Sequence, residues 1–440
     1  MDLVKYPEYK DSGAEVIDDI PKSWETHNMK FLIESIESGK REDVIDKKYA
    51  FSIGGEHINW NGSLNLKNER YVSKDFYNNL NKGKIKLNDV LLVKDGATIG
   101  KTAFISDKPF EKMAVNEHVF IIRSNDMILP KLLYYLVRSN LGFMQIKLTE
   151  NGSAQGGINS SFPSDVYFPV CDELSTQYKI ANYLDNKIAK IDKTIEINQK
   201  LIELLEEKRV ALINQVVTKG LNPDVEMKYS GIEWIGEIPK HWGCQKISTL
   251  SNIGRGASPR PIDDPKYFDE NGEYSWVRIS DVTSSNKYLK RTTEKLSALG
   301  KSLSVSIEPG NVFVSIAGSV GKPIISKIKC CIHDGFVYFK NLTIMDEYLF
   351  YIFEGEEPYK GLGKLGTQLN LNTETIGNIF IPLPTKLEQQ DIVEYLDNKL
   401  ANLDKTKSKI EKQINLLKEY KESLIYNVVT GKVDVRGENI

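Results

Sequence analysis

Cysteine and histidine are scarce in this chain, four and five among 440 residues. The cysteines, Cys171, Cys244, Cys330 and Cys331, have no zinc-ligand spacing and are too few for a disulfide scaffold. That usage fits a reducing compartment, the cytoplasm. The histidines, His27, His57, His118, His241 and His333, stand in no ligand or triad spacing, so no metal site is expected. No apolar run approaches the length of a membrane span, and the opening MDLVKYPEYK lacks the apolar core of a secretory signal. Charge of one sign is also lacking: the net charge is −2. The total therefore announces no basic nucleic-acid-binding domain, although acidic helices can dilute a local basic surface. Missing too are a Gly-rich cofactor loop after a first strand, an Asn/Asp-Pro-Pro-aromatic tetrad and a nuclease-like carboxylate cluster. Catalytic residues: none are assigned.

What the chain has is repetition. YLDNK at Tyr183–Lys187, DKT at Asp192–Thr194 and VVT at Val216–Thr218 recur as YLDNK at Tyr395–Lys399, DKT at Asp404–Thr406 and VVT at Val428–Thr430. All three share one offset of 212 residues. Each copy carries a seam of alternating three- and four-residue spacings. The first runs through Ile188, Ile191, Ile195, Asn198, Ile202, Leu205, Arg209, Leu212 and Val216. The second runs through Leu400, Leu403, Lys407, Ile410, Ile414, Leu417, Lys421, Leu424 and Val428. That spacing puts one narrow apolar stripe on a helix, and such a stripe calls for a partner helix. Neither copy contains Gly or Pro between its YLDNK and VVT blocks, so nothing breaks the helix. The two helices are expected to pair with each other.

A second repeat precedes each domain: KDSGAEVIDDIPKSW at residues 10–24 and KYSGIEWIGEIPKHW at 228–242. Gly, Pro and Ser in register suggest a turn-rich connector, and Trp24 and Trp242 packing anchors. If the chain closes on itself, Ile20–Trp24 should pack near Tyr426–Val435. Between connector and helix each half repeats one order of segments. Asp89–Ile105 and Asn116–Ser124 read as strands with tight turns, echoed by Asn311–Lys322 and His333–Asn341. Pro130–Asn140 reads as a short helix, echoed by Asp346–Gly355. The loop Asn151–Asn159 is echoed by Gly366–Asn372, and Val166–Val170 by Ile379–Leu383.

GATIGKT at Gly96–Thr102 looks like a phosphate-cradling loop but is one residue short between its glycines. Its counterpart, Gly318–Lys322, is followed by Pro323 where a magnesium-binding hydroxyl would stand. The reading adopted is a tight turn that exposes backbone N–H groups and Thr98 or Ser319, able to touch a DNA phosphate. Lysine and arginine crowd both domains at matching places: Lys67, Arg70, Lys74, Lys82, Lys84, Lys86, Lys94 and Lys101, then Lys287, Lys290, Arg291, Lys295, Lys301, Lys322, Lys327 and Lys329. The candidate DNA-contacting residues are Lys94, Thr98, Lys101, Gln155 and Asn159 in the first domain, and Arg278, Ser319, Lys322, Gln368 and Asn372 in the second. Gln and Asn can read adenine bidentately, and are equally ordinary turn residues.

Taken together these motifs resemble type I restriction-modification specificity subunits. The resemblance covers almost the whole chain. It rests on the paired connectors, the paired YLD-x-K helices ending in VVT, the paired glycine turns, and LEQQDIVEYLD at Leu387–Asp397 beside the weaker STQYKIANYLD at Ser175–Asp185. It implies a mixed α/β (α+β) fold with a pseudo-twofold internal repeat: two similar target-recognition domains separated by two long antiparallel coiled-coil helices. The expected divisions are 1–172 (connector and first domain), 173–220 (first helix), 221–385 (connector and second domain), 386–432 (second helix) and 433–440 (tail). Each domain would read one half of a gapped, asymmetric site in double-stranded DNA. The helices would set the spacing and dock two modification subunits. S-adenosylmethionine, ATP and magnesium are expected on partner subunits, methyltransferase and restriction (translocase/endonuclease), with no cofactor on this chain and no membrane partner. Antiparallel helices also follow from length: about 40 helical residues span about 60 Å, farther than a domain of roughly 40 Å can return the chain. The alternatives are a coiled-coil scaffold that reads no DNA, and the specificity module of a single-chain restriction-modification enzyme.

Overall fold

The computed structural model describes residues 4–42, 48–150, 156–360 and 371–438. The chain divides into two compact units, Met1–Asn198 with Lys412–Ile440, and Gln199–Glu411. The division cuts through both long helices, because each unit is built around the ends of two helices rather than around one.

In the first unit an antiparallel sheet runs in the order Ile33–Ser38, Val119–Ser124, Val90–Val93, Thr102–Phe104. Val90–Val93 is VLLV and buried throughout, as an apolar run covered on both faces must be. A second sheet orders Tyr71–Val72, Ala50–Ile53 and Met113–Val115, the last pair parallel. Phe51, Ile53, Leu91, Val93, Met113, Val115 and Ile121 join the two sheets in one core. The short helix Pro130–Arg138 starts on Pro, where a missing N–H costs nothing, and buries Leu132 through Val137.

The second unit repeats this plan with additions. Its main sheet runs Asn252–Arg255, Phe336–Lys340, Val312–Ser315, Pro323–Ser326, and gains an edge strand, Tyr288–Leu289. Its other sheet pairs Tyr274–Val277 in parallel with Cys330–Ile332, between Glu294–Leu296 and Val305–Ile307. The short helix here is Asp346–Glu354.

The long helices are Leu174–Lys219 and Lys386–Val429, without Gly or Pro in either. None of the eighteen seam residues is fully exposed, and among residues 199–208 only Ile202 and Leu205 are shielded. In the second unit Lys407 meets Glu206 at 2.6 Å and Arg209 meets Asp404 at 2.9 Å. The higher number on one helix pairs with the lower on the other, so the helices are antiparallel there. In the first unit the nearly buried Lys421 ammonium meets Asp192 at 2.6 Å. Three polar seam positions are thus absorbed by ion pairs, whereas the Asn198 amide nitrogen stays buried and unpaired.

Closure occurs within the first unit. Gly431 has φ +72°, and a Cβ there would lie 2.4 Å from the Pro21 ring and 3.3 Å from the Trp24 ring. The Tyr9 hydroxyl donates to the Gly431 carbonyl at 3.1 Å, and the Asp434 N–H to the Val4 carbonyl at 2.7 Å. In the second unit Gly220 makes the same approach to Trp242 and Pro239.

Candidate nucleic-acid interface

The glycine turns share positive φ at both glycines, although the second is one residue shorter. In the first unit Gly96 and Gly100 have φ +80° and +93°, a region that costs glycine little. The Gly100 N–H donates to the Val93 carbonyl at 3.0 Å and the Lys101 N–H to the Thr98 carbonyl at 3.2 Å. In the second unit Gly318 and Gly321 have φ +69° and +90°. Gly321 donates to Ser315 at 2.8 Å and Lys322 to Ser319 at 3.3 Å. The second glycine of each turn lies against an aromatic ring, Phe143 or Tyr359, at 2.5–2.6 Å from an added Cβ. The turn is therefore fixed at that glycine, and it carries the half-buried Thr98 and Lys101, or Ser319 and Lys322.

The same loop reaches each turn, the one that follows the central strand of the smaller sheet. In the first unit this loop carries Trp60, 56% exposed, with the Lys101 ammonium 5.8 Å from its ring. In the second, Lys322 donates to the Thr283 carbonyl and Ser319 shares a hydrogen bond with the Thr283 hydroxyl, both at 3.2 Å.

The other sequence candidates are placed as follows. Lys94 lies at the start of the first turn, its ammonium 5.2 Å from the Phe120 ring. Arg278 is held by Glu294 at 2.6 Å, beside the second turn, where Ile279 meets Gly318. Asn159 accepts from the Ser161 N–H and lines a groove with connector residues Gly13–Val16. The Asn372 side-chain oxygen accepts two backbone N–H groups at the start of the helix Thr373–Gly377. Gln155 and Gln368 lie outside the described residues. Among the described residues no group of three or more His, Cys, Asp or Glu could hold a metal ion. Of the histidines, His57 is wholly buried and bonded to Gly54 and Asn68, and burial lowers the His333 pKa. Among the described residues no helix is long and apolar enough to cross a membrane.

What carries these faces on the helices explains the repeated motifs. Asp185 of the first YLDNK accepts the Tyr135 hydroxyl at 2.5 Å and the Lys131 ammonium at 3.1 Å. Asp397 of the second takes the Tyr351 hydroxyl, and the Lys287 ammonium at 2.5 Å. Burial first, then the hydrogen bond to a carboxylate, pushes both phenols far above their ordinary range. The buried Gln177 accepts from the Leu129 N–H and donates to the Met127 and Cys171 carbonyls. Gln389 likewise accepts from Met345 and donates to Pro384. Each long helix so caps the first turn of the short helix that packs on it.

A model of the type I restriction modification DNA specificity domain matches the chain twice, over residues 21–207 and 239–416. The chain belongs to that family. A protein of Methanocaldococcus jannaschii, described as a candidate type I restriction enzyme MjaX specificity subunit, is 24% identical over 96% of both chains. The EcoKI specificity subunit of Escherichia coli is 23% identical over 46% of each. Among solved structures, one chain from a study of assembly and conformational transition in a type I R-M system matches with TM-score 0.75 at 17% identity, covering 94% of this chain and 99% of its own. The HsdS subunit from Thermoanaerobacter tengcongensis matches with TM-score 0.56 at 17% identity, covering 94% and 98%. For a specificity-family chain, the paired glycine turns and their adjoining loops are the faces repeated in both recognition domains. Sequence reasoning missed Trp60 and the role of Thr283; an isolated Trp between Asn59 and Asn61 was the available signal.

Proposed function

We propose that this chain is the non-catalytic DNA-reading subunit of a cytoplasmic type I restriction-modification assembly. Each recognition domain reads one half of a gapped site in double-stranded DNA. The paired helices set the separation and dock two modification subunits, which bring S-adenosylmethionine; restriction subunits bring ATP, magnesium and cleavage. The observation that carries this is the double match to the DNA specificity domain, each copy ending in a long helix and each bearing a glycine turn with a cation and a hydroxyl. Thr98 and Lys101, and Ser319 and Lys322, would contact the backbone, positioning rather than specifying.

The test is a map of methylated adenines in host cells with and without the gene. A gapped motif that disappears with the gene is expected; an unchanged methylome with the partner subunits expressed overturns the reading. The purified chain alone should neither methylate nor cut DNA nor bind S-adenosylmethionine. Methyl transfer by the isolated chain would favour a single-chain enzyme instead.

A further inference from the structure

In the second unit a cleft of about 840 Å³ opens behind the loop that meets the glycine turn, lined among others by Asn286, Tyr288, Lys290, Arg291 and Thr293. Four cations surround Tyr288. Two are already placed: the Lys287 ammonium is 5.4 Å from the ring centroid and bonded to Asp397, and the Lys327 ammonium is 4.3 Å from the same ring. Lys290 and Arg291 are exposed and have no acidic partner among the described residues. Other cations of this unit divide: Arg260, Arg278 and Lys329 are neutralised by Asp334, Glu294 and Glu273, whereas Lys295, Lys301, Lys322 and Lys327 have no acidic partner among the described residues. Carboxylates that act on Tyr288 are Asp397, already engaged, and Glu347; the cleft's own carboxylate, Asp281, is buried and accepts the Arg278 backbone N–H, so it offsets one of the cations. The cleft therefore keeps a surplus of positive charge.

Position gives that surplus a direction. Asp281, Ser284, Ser285 and Asn286 line one side of the cleft, and Thr283, next to Ser284 in the chain, is bonded to both Ser319 and Lys322 of the turn. The cationic cleft and the turn are thus parts of one tied surface. The geometry points to Lys290 and Arg291 as a backbone-phosphate site for duplex DNA, extending the contact made at the second glycine turn. This rests on the DNA-reading function proposed above. Two long cations without buttressing partners suit phosphate oxygens, which tolerate many approach geometries, better than base edges, which need a fixed fork. The loop that corresponds in the first unit carries Trp60 and one exposed cation without an acidic partner among the described residues, Lys67, since its Arg70 is held by Glu56 at 2.9 Å; the second domain should therefore supply more of the salt dependence.

The test uses the complex of the full chain with its modification subunits, and fluorescence anisotropy on a duplex bearing the mapped site and on a scrambled duplex, over a salt series. In K290Q/R291Q the slope of log affinity against log salt should fall by roughly 2, about 0.9 per phosphate, on both duplexes. Thermal melting should be unchanged, since neither side chain is bonded. An unaltered slope, with wild-type binding intact, overturns the assignment while leaving the functional reading in place. Loss confined to the cognate duplex also overturns it, because it marks a base reader. Absence of any salt-dependent DNA binding by the wild-type complex sinks both.

Discussion

Trp24 and Trp242 hold the same place in two copies of one connector, yet only Trp242 has a hydrogen-bond partner. The Trp242 N–H donates to Glu388 at 2.9 Å, and Glu388 also bonds His241 at 2.8 Å and the Thr385 N–H at 2.9 Å. Burial opposes ionisation there, but these donors outweigh it and hold the Glu388 carboxyl at about 2. At the equivalent place, 212 residues earlier, stands Thr176, whose hydroxyl turns to Glu173, and the Trp24 N–H is buried without a partner. The junctions at the short helices differ as sharply. Arg138 pairs with Glu422 in the first unit, whereas Glu354 pairs with Arg209 in the second. The repeat keeps apolar shape, the Gly–Pro–Trp contact and the Tyr–Asp bond. Polar closures that need only be mutually consistent have diverged, to the point of reversed charge.

Three pairs of substitutions and one single change test how far the copies are equivalent, each read by thermal or urea unfolding of the full chain. Gln177→Ala should cost about 4 kcal/mol, since one buried N–H and two carbonyls lose their partner. Gln389→Ala removes one bond fewer and should cost about 3 kcal/mol. Equal losses would mean that the Gln177–Met127 bond, which has no counterpart at Gln389, adds nothing. Next in size, Asp192→Ala leaves the Lys421 ammonium buried and unpaired, for about 3 kcal/mol. Asp404→Ala leaves Arg209 its second partner, Glu354, and should cost only about 0.5 kcal/mol; a reversed order would contradict the burial difference. Gly431→Ala meets Pro21 at 2.4 Å with φ +72° and should cost about 2 kcal/mol. Gly220→Ala, at the same φ but 3.2 Å from Trp242, should cost about 1 kcal/mol.

The single change carries a pH signature. Glu388→Thr makes the second connector chemically like the first and should cost about 1 kcal/mol at neutral pH. Because the folded carboxyl titrates at about 2, below its unfolded value near 4.3, this stabilisation is present above the unfolded value. It is lost as pH falls from there toward 2. The difference between wild type and variant should therefore vanish in acid; a constant difference would show that the charge of Glu388 is irrelevant.

The seam was legible because helix pairing is written in a local period, and all eighteen positions obey it. The antiparallel sense followed from length alone, and the closure of Ile20–Trp24 on the second VVT block from the order of the repeats. The smaller sheets were not legible. Ala50–Ile53 pairs in parallel with Met113–Val115 about sixty residues on, and nothing local marks such a partner. The aspartates of YLDNK were visible as a motif, but their partners Tyr135 and Tyr351 stand far upstream. Asn372 illustrates the limit for sites: an amide suited to adenine is equally suited to a helix start, and the structure uses it there.

The second unit is one continuous stretch of chain, whereas the first joins residues 1–198 to residues 412–440. During synthesis the first recognition domain therefore leaves the ribosome early but cannot be finished until the last residues arrive. Until then Trp24 has no Gly431 against it, Lys421 is not yet present for Asp192, and the seam of Leu174–Lys219 waits for its partner. The domain made second is complete first. A ribosome stalled before residue 412 would hold a chain whose amino-terminal domain is the unfinished one, and which is for that interval the better substrate for chaperones and proteases.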